Sequence, residues 1–579
     1  MNPYARRKQR TARRALLAVL ATALLGALCA PAQAEKRTVC TITVNSPDEK
    51  EAMRRHLPAS QYEFVELVER GRPDWLESAC QKQIKCDVLV VSGHFNGHDF
   101  FSDQLEAREY LPVAEMERVS CSNACPGLFS QLKEVYLFGC TSLSPDPANS
   151  RSSEIERRLV RAGQSRADAE RVAHMLADRY EENNREFMRR VFRNVPAIYG
   201  FSNVAPLGPI SGQLLSRYFQ SGGAAPFGTG RANPRLLGQF SAHAMAMTSG
   251  LTDADPRTRY RAEVCRFVDD RLTAAQKLRF IHDVLKRDAN EARMFFERIE
   301  TFFASLHDQD RNDAAFAREL EDLAADDAAR DRYLAYARGA DSAGVRSRML
   351  TVASTIGWLT AEQLRDDQVR MVADLLNGAP MSTADLDVVC RLNPDHQLDA
   401  ELPRLAEFRG DRVDRAAALA CLGSAPDHAR MLDALASGSE QDVRMGEIYF
   451  RHRPIQDVEE LRAVAEGIAR ARRAPDAQAY ALDTLSRQYL SDGATLDELM
   501  RYFPVSGSLR VQRAIAGILI RADYRAIASP EAVEMLRDHR VKSPDGPDAI
   551  DILIRRMQAS YAQGGGTPTA YQRTSAKFP

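Results

Sequence analysis

The 579-residue sequence predicts an α/β part followed by an all-α part. Up to about residue 205, strand-like and helix-like segments alternate, which is typical of a mostly parallel sheet with flanking helices and right-handed crossovers. After about residue 257 no convincing strand appears, and a helix start recurs at intervals of 30 to 34 residues. Such a period is typical of a helical repeat array. These two observations predict the fold class, α/β plus all-α.

The first 34 residues have the composition of a secretory signal peptide. They carry six basic and no acidic side chains, then the apolar run ALLAVLATALLGALCA and the small residues around Ala32-Gln33-Ala34. This pattern predicts cleavage before Glu35 and export to the bacterial periplasm or beyond the cell. A membrane anchor is the weaker alternative, because the apolar run is short for a bilayer.

Removal of this segment would change the formal net charge from −1 to −7, which argues against nucleic acid as a partner. No second long apolar segment follows, so no membrane association is expected after cleavage. Nine cysteines would remain, and an odd number in an oxidising compartment leaves at least one unpaired. The chain order does not reveal the pairs, although Cys80 with Cys86, or Cys121 with Cys125, would close short loops.

The α/β elements follow one another in a regular order. A β-branched first strand, Thr38 to Val44, precedes the helical DEKEAMRRHL, and the alternating YEFVELV precedes the helical DWLESACQKQ. CDVLVVS and KEVYLFG are continuously apolar, as expected of central parallel strands that are buried on both faces. Ser153 and Ser165, each with an acidic residue three positions on, are expected to begin the next helices. VPAIYGFS supplies a further strand.

Composition suggests the boundaries of the parts. Residues 35–255 form the α/β domain, in which the Gly-rich and Pro-rich stretch Gln220 to Pro234 is expected to be a surface loop. Residues 256–340 form a helical connecting region, and residues 341–560 form the repeats. Residues 561–579 lack periodic apolar positions and are expected to be disordered.

The repeats are recognised by their period. Val413, Val443, Ala477 and Val511 occupy equivalent positions at the starts of helices, spaced by 30, 34 and 34 residues, and a second helix follows each. This period predicts an α-solenoid, with an irregular helical bundle as the alternative. The segment resembles HEAT repeats, which implies a surface that binds a protein or peptide partner.

Two apolar strands each end in a reactive side chain: CDVLVVSGH ends at His94, and KEVYLFGC ends at Cys140. The carboxyl ends of parallel strands meet at one edge of a sheet, where open α/β sheets place their chemistry. A thiol beside an imidazole is a candidate nucleophile with its proton acceptor and donor. Cys140 is therefore the thiol best placed to stay unpaired, although a lone cysteine or histidine at a strand end is more often structural.

A zinc site is the alternative function for the segment around His94. His94 with His98 forms H-x3-H, and Cys121 with Cys125 forms C-x3-C, so four ligands can be written down. Export favours a disulfide between the two cysteines instead. The sequence therefore predicts neither a metal nor a cofactor.

Ser92-Gly93-His94 and Cys140-Thr141-Ser142, 46 residues apart, resemble the paired motifs of caspase-like cysteine peptidases, which include caspases, metacaspases and bacterial CHAT proteins. The resemblance covers about residues 36–220. It implies an endopeptidase in which the Cys140 thiolate attacks a carbonyl carbon and His94 protonates the leaving amine.

Backbone N–H groups near Cys140 and in the turn from Gly93 to Phe95 would stabilise the oxyanion, and the segment from Asn203 to Ser211 would form a wall of the substrate site. The sequence departs from the family pattern twice. Phe95 replaces the glycine that usually follows the histidine, and Leu143 stands where glycine is often found. A caspase-like scaffold that has lost activity and serves only interaction is the alternative function.

Overall fold

The computed structural model describes residues 36–562, apart from 69–75, 103–108, 123–124, 126, 147–150, 162, 181–182, 409, 472–474, 489, 523 and 544–547. The expected signal peptide and the expected tail beyond residue 562 lie outside the described residues. The chain divides into two units, residues 1–319 and residues 320–579. The first is of the α/β class and the second is helical, which confirms the predicted order of the two fold classes.

Six strands of the first unit form one sheet, and three short ones form another. The strands are β1 Arg37–Thr43, β2 Tyr62–Glu66, β3 Val88–Ser92, β4 His94–Phe95, β5 Asp99–Phe101, β6 Tyr110–Pro112, β7 Glu134–Phe138, β8 Ala197–Phe201 and β9 Met245–Thr248. The larger sheet has the order β2-β1-β3-β7-β8-β9, with β9 antiparallel to β8 and the other pairs parallel. The smaller sheet is the antiparallel β4-β5-β6.

The central strands are buried on both faces, as their continuous apolar runs predict. Every residue of β3, β7 and β8 is buried. Leu89 and Leu137 belong to the core on one face of the sheet, and Val90 and Phe138 belong to the core on the other. Because both faces need covering, helices flank the sheet on each side.

The helices that the sequence predicts for the first unit lie at the expected positions, although one of them begins earlier than expected. Ser165 begins a helix as expected, since its hydroxyl accepts a hydrogen bond from the Asp168 N–H at 3.1 Å. The helix expected from Ser153 begins earlier, at Arg151. The described helices are Asp48–His56, Glu77–Gln81, Val113–Cys121, Arg151–Arg161, Arg166–Tyr180, Asn184–Val191, Gly208–Tyr218, Pro234–Gln239, Thr258–Val268, Ala274–Leu285, Ala289–Arg293, Phe296–Ser305 and Asp308–Arg311, followed by Ala314–Ala324, within which the first unit ends.

The stretch expected to be a surface loop is partly core. Phe227 is buried, and the N–H groups of Gly228 and Gly230 donate to the buried Glu134 carboxylate at 2.7 and 2.9 Å. Both glycines have positive φ, 72° and 74°, so the chain can fold around that carboxylate. The expectation of a plain loop is therefore wrong where this segment caps the start of β7.

In the second unit, alternate helices pack on one another. Val413–Cys421 contacts Glu440–His452, which contacts Pro475–Leu485, which contacts Leu509–Arg521, and these are the helices that the period of the sequence identifies. The helices between them form a second row in the same manner. The remaining described helices are Asp327–Arg338, Ala343–Ile356, Ala361–Asn377, Thr383–Arg391, Leu402–Leu405, Ala425–Ser437, Val458–Arg470, Gly493–Tyr502, Pro530–His539 and Ala549–Ala562.

Four disulfides cross-link the described chain, as expected of an exported protein. They are Cys40–Cys86, Cys80–Cys125, Cys121–Cys265 and Cys390–Cys421. Neither of the short-loop pairings suggested by the sequence occurs, because the cysteines pair across neighbouring elements instead. Cys121, for example, ends the helix Val113–Cys121, which packs on the helix that carries Cys265. In the described chain, no helix is long and apolar enough to cross a membrane.

Candidate active site

The register of the central strands brings His94 and Cys140 to neighbouring positions. In the parallel pair β3 and β7, Ser92 lies opposite Phe138, and the Gly93 N–H donates to the Phe138 carbonyl at 3.2 Å. His94 and Cys140 each follow this pair by two residues. Since adjacent strands lie about 4.8 Å apart, both residues lie at the carboxyl edge of the sheet, one beyond each strand.

Among the described residues, Cys140 is the cysteine that the disulfides leave free, and it is half-buried. The residue before it, Gly139, lets the two strand ends approach closely. A Cβ atom at Gly139 would lie 2.7 Å from the Phe95 Cβ and 3.2 Å from the Gly93 carbonyl oxygen, so only glycine fits there without a shift. The backbone N–H of Cys140 has no hydrogen-bond acceptor among the described residues.

A sharp turn follows Cys140 directly. Thr141 has a φ of 55°, a conformation that β-branched residues rarely adopt. Its N–H donates to the Asn203 carbonyl at 2.8 Å, and its carbonyl accepts from Asn184 Nδ2 at 2.9 Å and from the Ser144 N–H at 2.9 Å. Such a conformation costs about 1–3 kcal/mol and persists only where neighbours hold it. These contacts hold the turn from both sides.

Leu143, one of the two departures from the family pattern, is accommodated by a glycine on the next strand. Leu143 is buried, and its N–H donates to the Phe201 carbonyl at 2.9 Å. A Cβ at Gly200 would lie 2.8 Å from the Leu143 Cγ and 2.7 Å from the Ser142 Oγ. The space that Leu143 needs is therefore supplied by Gly200.

The other departure concerns the residues after His94, which form a hairpin. His94 pairs with Phe101 in the small antiparallel sheet, and their ring centroids lie 5.5 Å apart. The Asn96 Oδ1 accepts hydrogen bonds from the N–H groups of His98 and Asp99 at 2.8 and 2.7 Å, and Gly97 has a φ of 97°. Since the Asn96 N–H donates to the Asp99 carbonyl, the loop consists of Gly97 and His98, and glycine at the first central position is typical of one type of two-residue hairpin loop.

The three residues expected around the substrate have different environments. The Gly93 N–H is engaged by Phe138, so it is not available to an oxyanion in this structure. The Phe95 ring is buried against Phe100, with the centroids 4.7 Å apart. Asn203 is exposed, and its carbonyl accepts from Thr141. Asn203 therefore lies at the surface, directly beside the turn that follows Cys140.

Asn184 is a site residue that the sequence reasoning missed. Besides its bond to Thr141, it begins the helix Asn184–Val191, where the Asn183 side chain accepts from the Glu186 N–H at 2.9 Å. The Arg185 N–H donates to the Ser144 carbonyl at 3.1 Å. The N-terminus of this helix is thus attached to the turn after Cys140. The Asn-Asn-Arg-Glu sequence predicts a capped helix start, but it does not reveal that this helix contacts the turn after Cys140.

Glu49 was also missed, because it looked like an ordinary acidic residue in the first turn of a helix. It is 3% exposed, and burial raises its pKa to about 7, although hydrogen bonds from its own backbone and from the Ser92 side chain oppose the rise. Its Oε2 atom is buried and has no hydrogen-bond partner among the described residues. Since Ser92 ends β3, this carboxyl group lies close to the strand that leads to His94.

The four zinc ligands that can be written from the sequence are not all available. Cys121 and Cys125 are in two different disulfides, and His98 is exposed in the hairpin. Throughout the part of the chain that the structure describes, no group of three or more His, Cys, Asp or Glu side chains could hold a metal ion. These four residues therefore do not form a zinc site in this structure.

Comparisons of the chain with protein-family models, with curated proteins and with solved structures gave no match. The geometry of the sheet edge must therefore support any assignment of function by itself. That geometry consists of a free thiol, an imidazole beyond the adjacent strand, and a strained turn held by Asn184 and Asn203.

Proposed function

We propose that the first unit is a caspase-like cysteine endopeptidase with Cys140 as the nucleophile and His94 as its proton acceptor and donor. One observation carries the proposal: the free cysteine of the described chain and a histidine occupy equivalent positions beyond adjacent parallel strands. In an exported protein whose other described cysteines are paired, a free thiol at the functional edge of the sheet calls for an explanation, and nucleophilic catalysis supplies one.

The chemistry follows from these two groups. The Cys140 thiolate attacks the carbonyl carbon of a peptide bond, and the carbon–nitrogen bond breaks as the leaving amine takes a proton from His94. Water then hydrolyses the thioester, which releases the acid and restores the thiol. The Cys140 N–H has no acceptor among the described residues, so it can donate to the oxyanion. The N–H groups expected from the Gly93 to Phe95 turn contribute less, because that of Gly93 is engaged.

For the second unit we propose a HEAT-like α-solenoid that binds a protein or peptide. Two rows of alternate helices support it, as does the agreement between one row and the repeated helix starts. In such arrays each repeat contacts only its neighbours, and the extended surface is used for binding. The four disulfides support a periplasmic or secreted location.

The alternative is a caspase-like scaffold without peptidase activity. The hairpin after His94 favours it, because Phe95 is buried where the family pattern has glycine and the glycine is displaced to position 97. A glycine beside the histidine would let substrate backbone approach more closely than Phe95 does. The two functions differ in whether Cys140 reacts with substrate-like electrophiles.

Labelling with a thiol-directed peptidyl probe separates them. The mature wild-type protein and the Cys140→Ala and His94→Ala variants are incubated with a peptidyl acyloxymethyl ketone, and the added mass is located by mass spectrometry. We expect stoichiometric labelling at Cys140 in the wild type, none in Cys140→Ala, and at least about tenfold slower labelling in His94→Ala. Labelling that appears only after unfolding, or that is equal in wild type and Cys140→Ala, would establish the scaffold instead.

A further inference from the structure

An exposed apolar surface lies at the same edge of the sheet as Cys140. Val204, Leu207 and Ile210 are 64%, 63% and 45% exposed, three large apolar side chains within seven residues. Single exposed apolar residues are ordinary, but a cluster of them marks a binding surface. We call these three side chains the apolar rim.

The apolar rim begins immediately beside the turn after Cys140. Asn203, whose carbonyl accepts from the Thr141 N–H at 2.8 Å, is the residue before Val204. Leu207 caps the helix Gly208–Tyr218, and the Ile210 N–H donates to the Leu207 carbonyl at 2.9 Å. The turn after Cys140 is therefore hydrogen-bonded to the segment that carries the rim.

The segment that carries the rim is held in place by packing. The helix Gly208–Tyr218 packs on the helix Asp48–His56, and Gly208 lies so close to Ser46 that no Cβ would fit there. Ser211 is fully buried, and its hydroxyl donates to the Pro206 carbonyl at 3.1 Å. The inner side of the helix is thus fixed in the fold, while the rim stays exposed.

The rim itself offers no partner to a charged group. Residues 201–216 include no charged side chain, and the Asp48 carboxylate beside Gly208 already accepts a hydrogen bond from the Ser46 hydroxyl at 2.5 Å. A charged substrate side chain lying on Val204, Leu207 and Ile210 would therefore lose hydration without gaining a hydrogen bond from them. A large aliphatic or aromatic side chain would instead remove apolar surface of both partners from water. The chemistry of the rim therefore matches one class of occupant, an apolar side chain of a peptide.

We propose that Val204, Leu207 and Ile210 form the subsite that binds the substrate side chain adjacent to the scissile bond, and that this subsite selects large aliphatic or aromatic residues. The inference rests on the proposed peptidase function. It deepens that function by naming the substrate class. Selection is made by apolar contact, because the three side chains of the rim offer a charged group no partner.

Five peptidyl acyloxymethyl ketones that differ only in the residue beside the reactive group, Leu, Phe, Arg, Asp or Asn, test the proposal. The rate constant for labelling Cys140 is measured for each by intact-protein mass spectrometry, and iodoacetamide reports the reactivity of the thiol apart from the subsite. We expect the Leu and Phe probes to react at least about tenfold faster than the others. Leu207→Asp should remove most of that preference and leave the iodoacetamide rate unchanged, and Ile210→Gln should weaken it.

Val505→Asp is the matched control, because Val505 is 77% exposed and lies in the second unit. It should change neither rate. A faster reaction with the Arg, Asp or Asn probe would overturn the subsite and leave the peptidase intact. Modification by iodoacetamide without labelling by any peptidyl probe would overturn the peptidase and the subsite together. If Leu207→Asp converts a dimer to a monomer without changing probe preference, the rim is a contact between copies, and the subsite is wrong.

Discussion

Two side chains near the proposed catalytic pair lie at the edge of the sheet or beside the strand that leads to it. Asn184 holds the carbonyl of Thr141, the residue with the strained φ, and Glu49 is buried close to Ser92. Neither side chain need touch a substrate. Asn184 fixes the turn after Cys140, the proposed nucleophile, and Glu49 places a titratable group between the helix Asp48–His56 and the strand that leads to His94.

We predict that Asn184→Asp, which keeps the size of the side chain and removes its donor, lowers the free energy of unfolding by about 1–2 kcal/mol and slows peptidyl labelling of Cys140. The reason is that the Thr141 carbonyl loses one of its two donors at 2.9 Å and keeps only the Ser144 N–H. Denaturant unfolding and labelling rates measure the two effects. Asn203→Ala is the stability control, since Thr141 is bound by the main-chain carbonyl of Asn203. An equal loss of stability in both variants would contradict the assigned role of Asn184.

Glu49→Gln should stabilise the protein at alkaline pH. The pKa of Glu49 is raised from 4.5 to about 7, so the folded protein binds this proton more tightly than the unfolded chain does. The stability that it contributes is present below about pH 4.5 and is lost as the pH rises to about 7. At pH 8.5 the ionised carboxylate therefore costs about 3 kcal/mol.

Urea unfolding of wild type and Glu49→Gln at pH 4 and pH 8.5 checks this prediction. The variant should be the more stable protein at pH 8.5, and the difference should shrink at pH 4. Glu51→Gln, an exposed position in the same helix, should show neither effect. A Glu49→Gln variant less stable than wild type at pH 8.5 would show that the ionised carboxylate is favourably paired.

The elements differ in how far the sequence could predict them. The central strands were predictable because burial on both faces gives continuous apolar runs, and their ends predicted where His94 and Cys140 lie in the fold. The edge strand Met245–Thr248 was missed, because MAMT is short and forms a strand only through its antiparallel pairing with β8. The roles of Glu49 and Asn184 depend on segments distant in sequence, which no local pattern reveals.

The close contact between β8 and the segment after Cys140 gives a prediction about packing. Gly200→Ala should cost about 1–3 kcal/mol of stability, because its Cβ would overlap Ser142 and Leu143. Leu143→Ala opens the same space. In a double-mutant cycle measured by denaturant unfolding, Gly200→Ala should therefore cost about 1 kcal/mol less in the Leu143→Ala background than in the wild type. Gly238→Ala, whose Cβ would meet nothing within 4 Å, should cost little. Strict additivity at Gly200 and Leu143 would mean that the two do not compete for space.

The disulfides relate the candidate site to the redox state of the compartment in which the protein folds. Three of them lie in the first unit and join residues 45, 46 and 144 positions apart, and each is expected to contribute about 2–4 kcal/mol. They include Cys40 of β1 and Cys86, which precedes β3, so the strands beside the candidate site are themselves cross-linked. An oxidising compartment therefore stabilises the sheet, and Cys140 must avoid pairing there to act as a nucleophile.

We predict one reactive thiol per mature molecule, at Cys140. When the protein is secreted through its predicted signal peptide, unfolded without reductant and alkylated, one added mass is expected at Cys140 in the wild type and none in Cys140→Ser. Digestion without reduction should yield the four linked pairs that the structure shows. Protein made in a reducing cytosol should expose more thiols and unfold at a lower temperature, because the cross-links that constrain its unfolded chain are absent. A Cys140 found in a disulfide after secretion would remove the nucleophile, and the peptidase proposal would fail with it.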